Sequence, residues 1–217
     1  TGKKPDTNEP AHTAMCHLGH NPMIDALDVI AELRKYESER IREIHHPLLE
    51  KHVGRSTNLL FSFFEYGNSE ALDIVHETCK LGCALSIIPG EKLEDIKNKI
   101  QKRVDVVVDK NEWMKENPPE LKWVSGVSSA STDIKSNIYE ITHKIFTNNN
   151  ISPKINPLHT SSDIRNPIVQ KGIPTLGFGP ICGNLTMSNE TNEWLDLEDY
   201  FKALCITAEI VTTYCNE

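Results

Sequence analysis

No run of about 18 apolar residues occurs in this chain, which excludes a membrane-spanning helix. Positive charge is in deficit: Lys and Arg number 23 against 31 Asp and Glu, a net charge of −8. Binding to a phosphate backbone needs a basic face, so a general nucleic-acid binder is excluded too. The 6 cysteines, Cys16, Cys79, Cys83, Cys182, Cys205 and Cys215, include no C-x-x-C pair, which removes the zinc-ribbon and thioredoxin-like readings. Cys79 and Cys83 share one expected strand, where four residues span about 13 Å, too far for a disulfide. Reduced thiols in a cytoplasmic protein are therefore expected. There is no P-loop, no G-x-S-x-G and no Ser-His-Asp order, no internal repeat and no low-complexity stretch. No signal peptide is legible, so the acceptor patterns at Asn184 and Asn189 carry little weight. The chain opens on Thr1 rather than Met, as expected of a processed product or part of a longer chain. Small molecules and proteins remain as partners.

What is present reads as an ordinary folded protein. The chain has 217 residues, 38% hydrophobic and 25% charged, enough for one large domain or two small ones. Residues 1–10 form a polar tail or linker. An extended stretch is expected over 12–17. Asn21-Pro22 then supplies an N-cap and a first-turn proline. Ile24, Leu27, Ile30 and Ala31 follow at helical spacing, with charge taking over from Arg34. Residues 40–57 read as a polar loop, 58–65 as an apolar strand, and 79–88 as an alternating strand ended by Pro89-Gly90. Leu93, Ile96, Ile100 and Val104 mark a helix, with a last strand over 104–108. The order β-α-β-β-α-β is the ferredoxin-like split arrangement.

Pro118-Pro119 marks the next boundary. Beyond it the pattern predicts strands over 121–127, 154–158 and 173–178, and a helix with the stripe Ile134, Ile138, Ile141 and Ile145. A short helix over 163–171 is closed by Gly172, and a final helix covers 197–214. Alternating strands and helices indicate α/β layering, in a half with few strands.

Four clusters can carry chemistry, and each has a plain alternative. His12, His17 and His20 fall within nine residues and can bind metal, or sit exposed at a helix start. Ser161-Ser162-Asp163-Ile164-Arg165 suits a carboxylate at a helix start, or simple capping by Ser162 or Asp163. Gly177-Phe178-Gly179-Pro180 lets backbone approach a ligand, or forms an ordinary turn. Glu193, in Asn192-Glu193-Trp194, is a ligand or base, or a solvated carboxylate.

Taken together, A-H-T-A-M-C-H-L-G-H-N-P, E-T-C-K-L-G-C-A-L-S-I-I-P-G-E, S-S-D-I-R, G-I-P-T-L-G-F-G-P and N-E-W-L-D-L-E-D-Y occur in order from Ala11 to Tyr200, within a likeness that runs from about Ala11 to Tyr214. This succession resembles the dinuclear-zinc deacylase and peptidase family. That family includes succinyl-diaminopimelate desuccinylase, acetylornithine deacetylase, aminoacylase, carboxypeptidase G and carnosinase. The resemblance implies a ferredoxin-like lid, or dimerisation domain, at 11–112 and an incomplete α/β zinc-peptidase-like catalytic portion at 113–217. It implies hydrolysis of an amide in an N-acyl amino acid or small peptide, two zinc ions sharing a water, and a homodimer formed through the lid. By the same resemblance, His17 reaches into the partner subunit's site and helps polarise the scissile carbonyl. Arg165 and Ser162 bind a substrate carboxylate, Gly177 and Gly179 line the pocket, and Asp73 stands where the lid contacts substrate.

The departures from the family pattern are specific. The H-x-D pair, bridging Asp and Glu-Glu pair are absent. The remaining zinc histidine falls on Asn189 or Thr191, both poor ligands beside imidazole. Asp73 and His76 replace the Asn and Pro of the lid's N-V-[VI]-P stretch, and Ser86 replaces an Arg found in many members. This chain alone is therefore expected to bind no zinc tightly and to be inactive. Three readings stay open: part of a zinc amidohydrolase, a non-catalytic relative that dimerises or binds a ligand, and an unrelated α/β binding protein.

Overall fold

The computed structural model describes residues 1–7, 12–152, 163–183, 191 and 193–216. The chain divides into two compact units, Thr1–Ser129 and Ala130–Glu217. It is mixed α/β, with one small sheet among the described residues.

In the first unit a 3-10 turn, Thr13–Leu18, replaces the extended stretch expected at 12–17. The residues 13–18 lack the apolar alternation that pins a strand to a core, and the His12 side chain caps the turn by accepting from Ala14 N. Helix α1, Pro22–Glu43, starts where expected: Asn21 Oδ1 accepts from Met23 N at 3.0 Å. It runs past Arg34 because Glu32, Leu33, Tyr36 and Arg40 continue a buried stripe at three- and four-residue spacing. The expected polar loop at 40–57 is thus partly helical, with α2 at Pro47–Val53.

Strands β1, Leu59–Tyr66, and β2, Cys79–Leu85, pair antiparallel, with a bulge between Phe61 and Phe63. The expected Pro-Gly turn follows β2. Gly90 has φ +95, a backbone conformation that suits the third position of such a turn, and Glu91 N donates to Ile88 O at 3.2 Å. Helix α3 is Leu93–Val108. It takes up 104–108, so no last strand forms there. Val104 and Val107 extend the buried stripe of Ile96 and Ile100 at helical spacing, which overrides the strand preference of Val. A short helix, α4, spans Glu112–Glu116. The stretch 121–127 is not a strand either: Leu121 packs on the core and Lys97 sits over the Trp123 ring. Two of the four expected lid strands are therefore present among the described residues. Leu33, Tyr36, Ile96 and Ile100 form the core between α1 and α3, roofed by Leu59, Phe61, Leu85 and Ile87 of the hairpin and its continuation.

One buried ion pair fastens this unit. Arg40, on α1, grips the Glu91 carboxylate with two bonds: Nη1 to Oε1 at 2.7 Å and Nη2 to Oε2 at 2.9 Å. Its remaining donors reach Thr57 Oγ1 at 3.1 and 3.0 Å and Ser86 O at 3.2 Å. The Arg40 side chain is 3% exposed and that of Glu91 13%. Alongside, Arg103 of α3 pairs with Glu32 and Glu39 of α1 over the face of Tyr36.

In the second unit, α5 is Asn137–Asn148, α6 is Arg165–Lys171 and α7 is Leu197–Asn216. Ile141 and Ile145 pack against Ile206 and Ile210. Gly172 closes α6 in the left-handed region, as expected. The expected strand at 173–178 is absent, having no ladder partner among the described residues. Cys182 and Leu195 form an isolated bridge instead. The expected strand at 154–158 lies outside the described residues. All six cysteines are free, and no helix among the described residues is long and apolar enough to cross a membrane.

Burial alone would push the Glu91 carboxyl up. The Arg40 guanidinium and the Ile88 N–H outweigh it and hold the group below its ordinary value. Such a group adds stability that is complete above pH 4.5, its ordinary value, and is lost as pH falls through the lower folded value. Arg40→Ala should lower the unfolding free energy by about 3–5 kcal/mol, since Glu91 is left charged and unpaired. Lys80→Ala, which breaks an exposed pair with Glu65, should change it by less than about 1 kcal/mol. Urea unfolding of both variants at pH 7 and pH 4 checks this, and the Arg40→Ala deficit should shrink at the lower pH.

Candidate functional site

The sequence-derived site residues are distributed over both units. His17 and Asp73 lie in the first, and Arg165, Gly177, Gly179 and Thr191 in the second. Ser162 and Asn189 lie outside the described residues.

At one end of the first unit three segments meet. Gly2 N donates to Glu77 O at 2.7 Å, and Lys3 pairs antiparallel with His20. Gly19 is required there, because a Cβ on it would lie 2.7 Å from Lys3 O. His20 Nε2 bonds the buried Asp25 carboxylate at 2.6 Å, and its ring stacks on Trp113 at 4.8 Å. Asn111 Nδ2 donates to the other Asp25 oxygen at 2.8 Å. His20 is thus committed to anchoring the turn at the start of α1.

The 3-10 turn faces the 67–78 loop. Thr13 Oγ1 donates to Asp73 O at 3.2 Å, and His12 Nε2 stands 3.9 Å from Asp73 Oδ2. Below it the loop is braced by His76, whose Nε2 lies 3.1 Å from Ala71 O and whose ring packs edge-on to Tyr66. Tyr66, Asn68, Leu72, Ile74 and His76 line a shallow depression there. The histidine set beside Asp73 is therefore His12. His17 lies on the same turn, exposed, one residue before its end at Leu18. The sequence signal that marks His12 is positional: it immediately precedes the turn, where a side chain caps the first free N–H. Because His12 Nδ1 accepts from Ala14 N at 3.2 Å, the neutral ring carries its proton on Nε2. That N–H can donate to a carbonyl oxygen.

In the second unit Arg165 opens α6 and is half-buried, while Gly177 and Gly179 are exposed in irregular chain. A Cβ on Gly179 would meet nothing within 4 Å, so the described backbone there does not demand glycine. Glu193 and Thr191 are exposed.

Two zinc ions need several imidazole and carboxylate donors. Among the described residues no three His, Cys, Asp or Glu side chains converge to hold a metal. His20 is spent on Asp25, and Thr191 offers only a hydroxyl. The described donor set does not fit a two-zinc centre.

Residues 7–112 match the family model described as a peptidase dimerisation domain. The matched segment holds α1, the hairpin, α3 and the His12–Asp73 end of the first unit. No curated protein matches the chain.

The tautomer assignment is open to direct measurement. Long-range 1H–15N spectra of the neutral protein should show His12 protonated at Nε2, and a variant with Pro in place of Ala14, which lacks the N–H, should lose that preference. An Nδ1–H ring in the unaltered protein contradicts the capping geometry.

Proposed function

We propose that this chain is part of a zinc-dependent amidohydrolase that cleaves the amide bond of an N-acyl amino acid or small peptide. In this reading residues 11–112 are its dimerising lid and 113–217 belong to its catalytic domain, and the protein works in the cytoplasm. The observation that carries the reading is the juxtaposition of His12 and Asp73 at one end of a unit that matches a peptidase dimerisation domain. Leu60, Phe63 and Phe64 lie exposed on the hairpin, and an exposed apolar ribbon with unpaired edges suits pairing with a second copy.

Each residue then has a definite part. His12 supplies the N–H that polarises the scissile carbonyl in the partner's site, a part that the family resemblance gives to His17. A donor placed where negative charge develops stabilises the transition state more than the bound substrate. Arg165, with Ser162, fixes the substrate carboxylate, and Gly177 and Gly179 line the pocket. The family's H-x-D pair, bridging Asp and Glu-Glu pair are missing from this sequence, so this chain by itself is inactive in this reading. A second reading, a non-catalytic relative that dimerises or binds a ligand, is favoured by the described donor set.

Two measurements test the proposal. Light scattering should give twice the 24.5 kDa chain mass, and Phe63→Glu with Phe64→Glu should give a monomer. A monomeric parent protein contradicts the lid assignment. The natural protein, supplied with zinc, should release free amine from a panel of N-acyl amino acids and dipeptides. His12→Ala should lower kcat by about a hundredfold with little change in KM, and His17→Ala should leave both nearly unchanged. A dimer that hydrolyses nothing contradicts the enzyme reading and favours the non-catalytic relative.

A further inference from the structure

We propose that Asp73 makes the lid end of the site select a ligand with a cationic side chain, an amine or guanidinium, over its anionic counterpart. This rests on the reading that the His12–Asp73 end contacts the substrate.

The argument begins with charge. The 67–78 segment, G-N-S-E-A-L-D-I-V-H-E-T, holds Glu70, Asp73 and Glu77 and no Lys or Arg. Glu77 is paired with Lys4 at 3.7 Å. Among the described residues the Asp73 carboxylate has no Lys or Arg within ion-pair reach. The His12 ring stands 3.9 Å from it, beyond hydrogen-bond length and an ion-pair partner only when the ring is protonated. The Asp73 side chain is 60% exposed, so its charge faces solvent, where a ligand can meet it.

Geometry holds the charge in place. Thr13 fixes the Asp73 carbonyl, and the backbone on either side is braced by Ala71 N donating to Asn68 O at 3.1 Å and by His76. Gly67 has φ +74, with the His76 ring 3.1 Å from where a Cβ would sit. A loop tied at these points presents its carboxylate without reordering when a ligand arrives. A unit charge about 4 Å from a cation in high dielectric changes affinity about fivefold, and an anion meets repulsion of like size.

The test compares two ligands that differ in side-chain charge, Nα-acetyl-lysine and Nα-acetyl-glutamate. Each is titrated into the full chain while the His12 ring and Asp73 amide signals are followed by NMR. The unaltered protein should bind acetyl-lysine at least about fivefold more tightly. Asp73→Asn should erase the preference and Asp73→Lys should invert it. These substitutions are at an exposed side chain, and Thr13→Ser, which keeps the hydroxyl, should retain the preference that Thr13→Val weakens. Equal affinity for the two ligands, or a preference unchanged in Asp73→Asn, overturns the proposal. The hydrolysis panel reports separately: a protein that discriminates between the ligands yet cleaves nothing retains this inference and loses the enzymatic one.

Discussion

The first unit depends on the pairing of Arg40 with Glu91. A guanidinium has five donors in a fixed fork, and here they reach a carboxylate, a threonine hydroxyl and a backbone carbonyl. These partners come from the segment before β1, the end of β2 and the turn that follows it. One side chain of α1 therefore sets where the hairpin sits on the helices. A buried charge is tolerable only when its partners are complete, and the Pro89-Gly90 turn completes them by bringing Glu91 back under Ile88 N, which donates to the same carboxylate at 3.0 Å. Tyr36, between Arg40 and Arg103, joins this network to the apolar core.

Once the hairpin is fixed, its connecting loop is fixed at both ends, and this gives the candidate site its shape. The 67–78 segment must return from Tyr66 to Cys79 within one unit, and it does so against the 3-10 turn. Thr13 ties the two, and His12 is oriented by its own cap to Ala14. The proposed chemistry follows from that order of causes: a capped ring exposes one N–H, and the braced loop places a carboxylate next to it.

Much of this was legible from the residues. The N-cap at Asn21, the hairpin strands, the Pro-Gly turn, the Gly172 cap and the final helix all follow local rules that tertiary packing did not override. The errors also share a cause. Val104 to Val108 satisfies both a strand and a helix pattern, and only the buried stripe begun at Ile96 decides between them. At 173–178 an apolar run fits a strand pattern, but a strand exists only with a partner, and none pairs with it among the described residues. Charge interleaved after Arg34 hid the second half of α1, because the stripe there is built from Tyr36 and Arg40 rather than aliphatic residues. For the site, Asp73 was reached through resemblance alone. Of three nearby histidines, spacing could not say which would face it; a cap, a fact of local geometry, does.

The most direct test of the account is subunit mixing in the natural protein. Subunits carrying His12→Ala are combined with subunits carrying Arg165→Ala after each is shown to be inactive alone. If His12 completes the partner's site, mixed dimers hold one intact site each, and random pairing should restore about a quarter of the unaltered activity. Mixed dimers that form but recover no activity would contradict a histidine acting across the dimer.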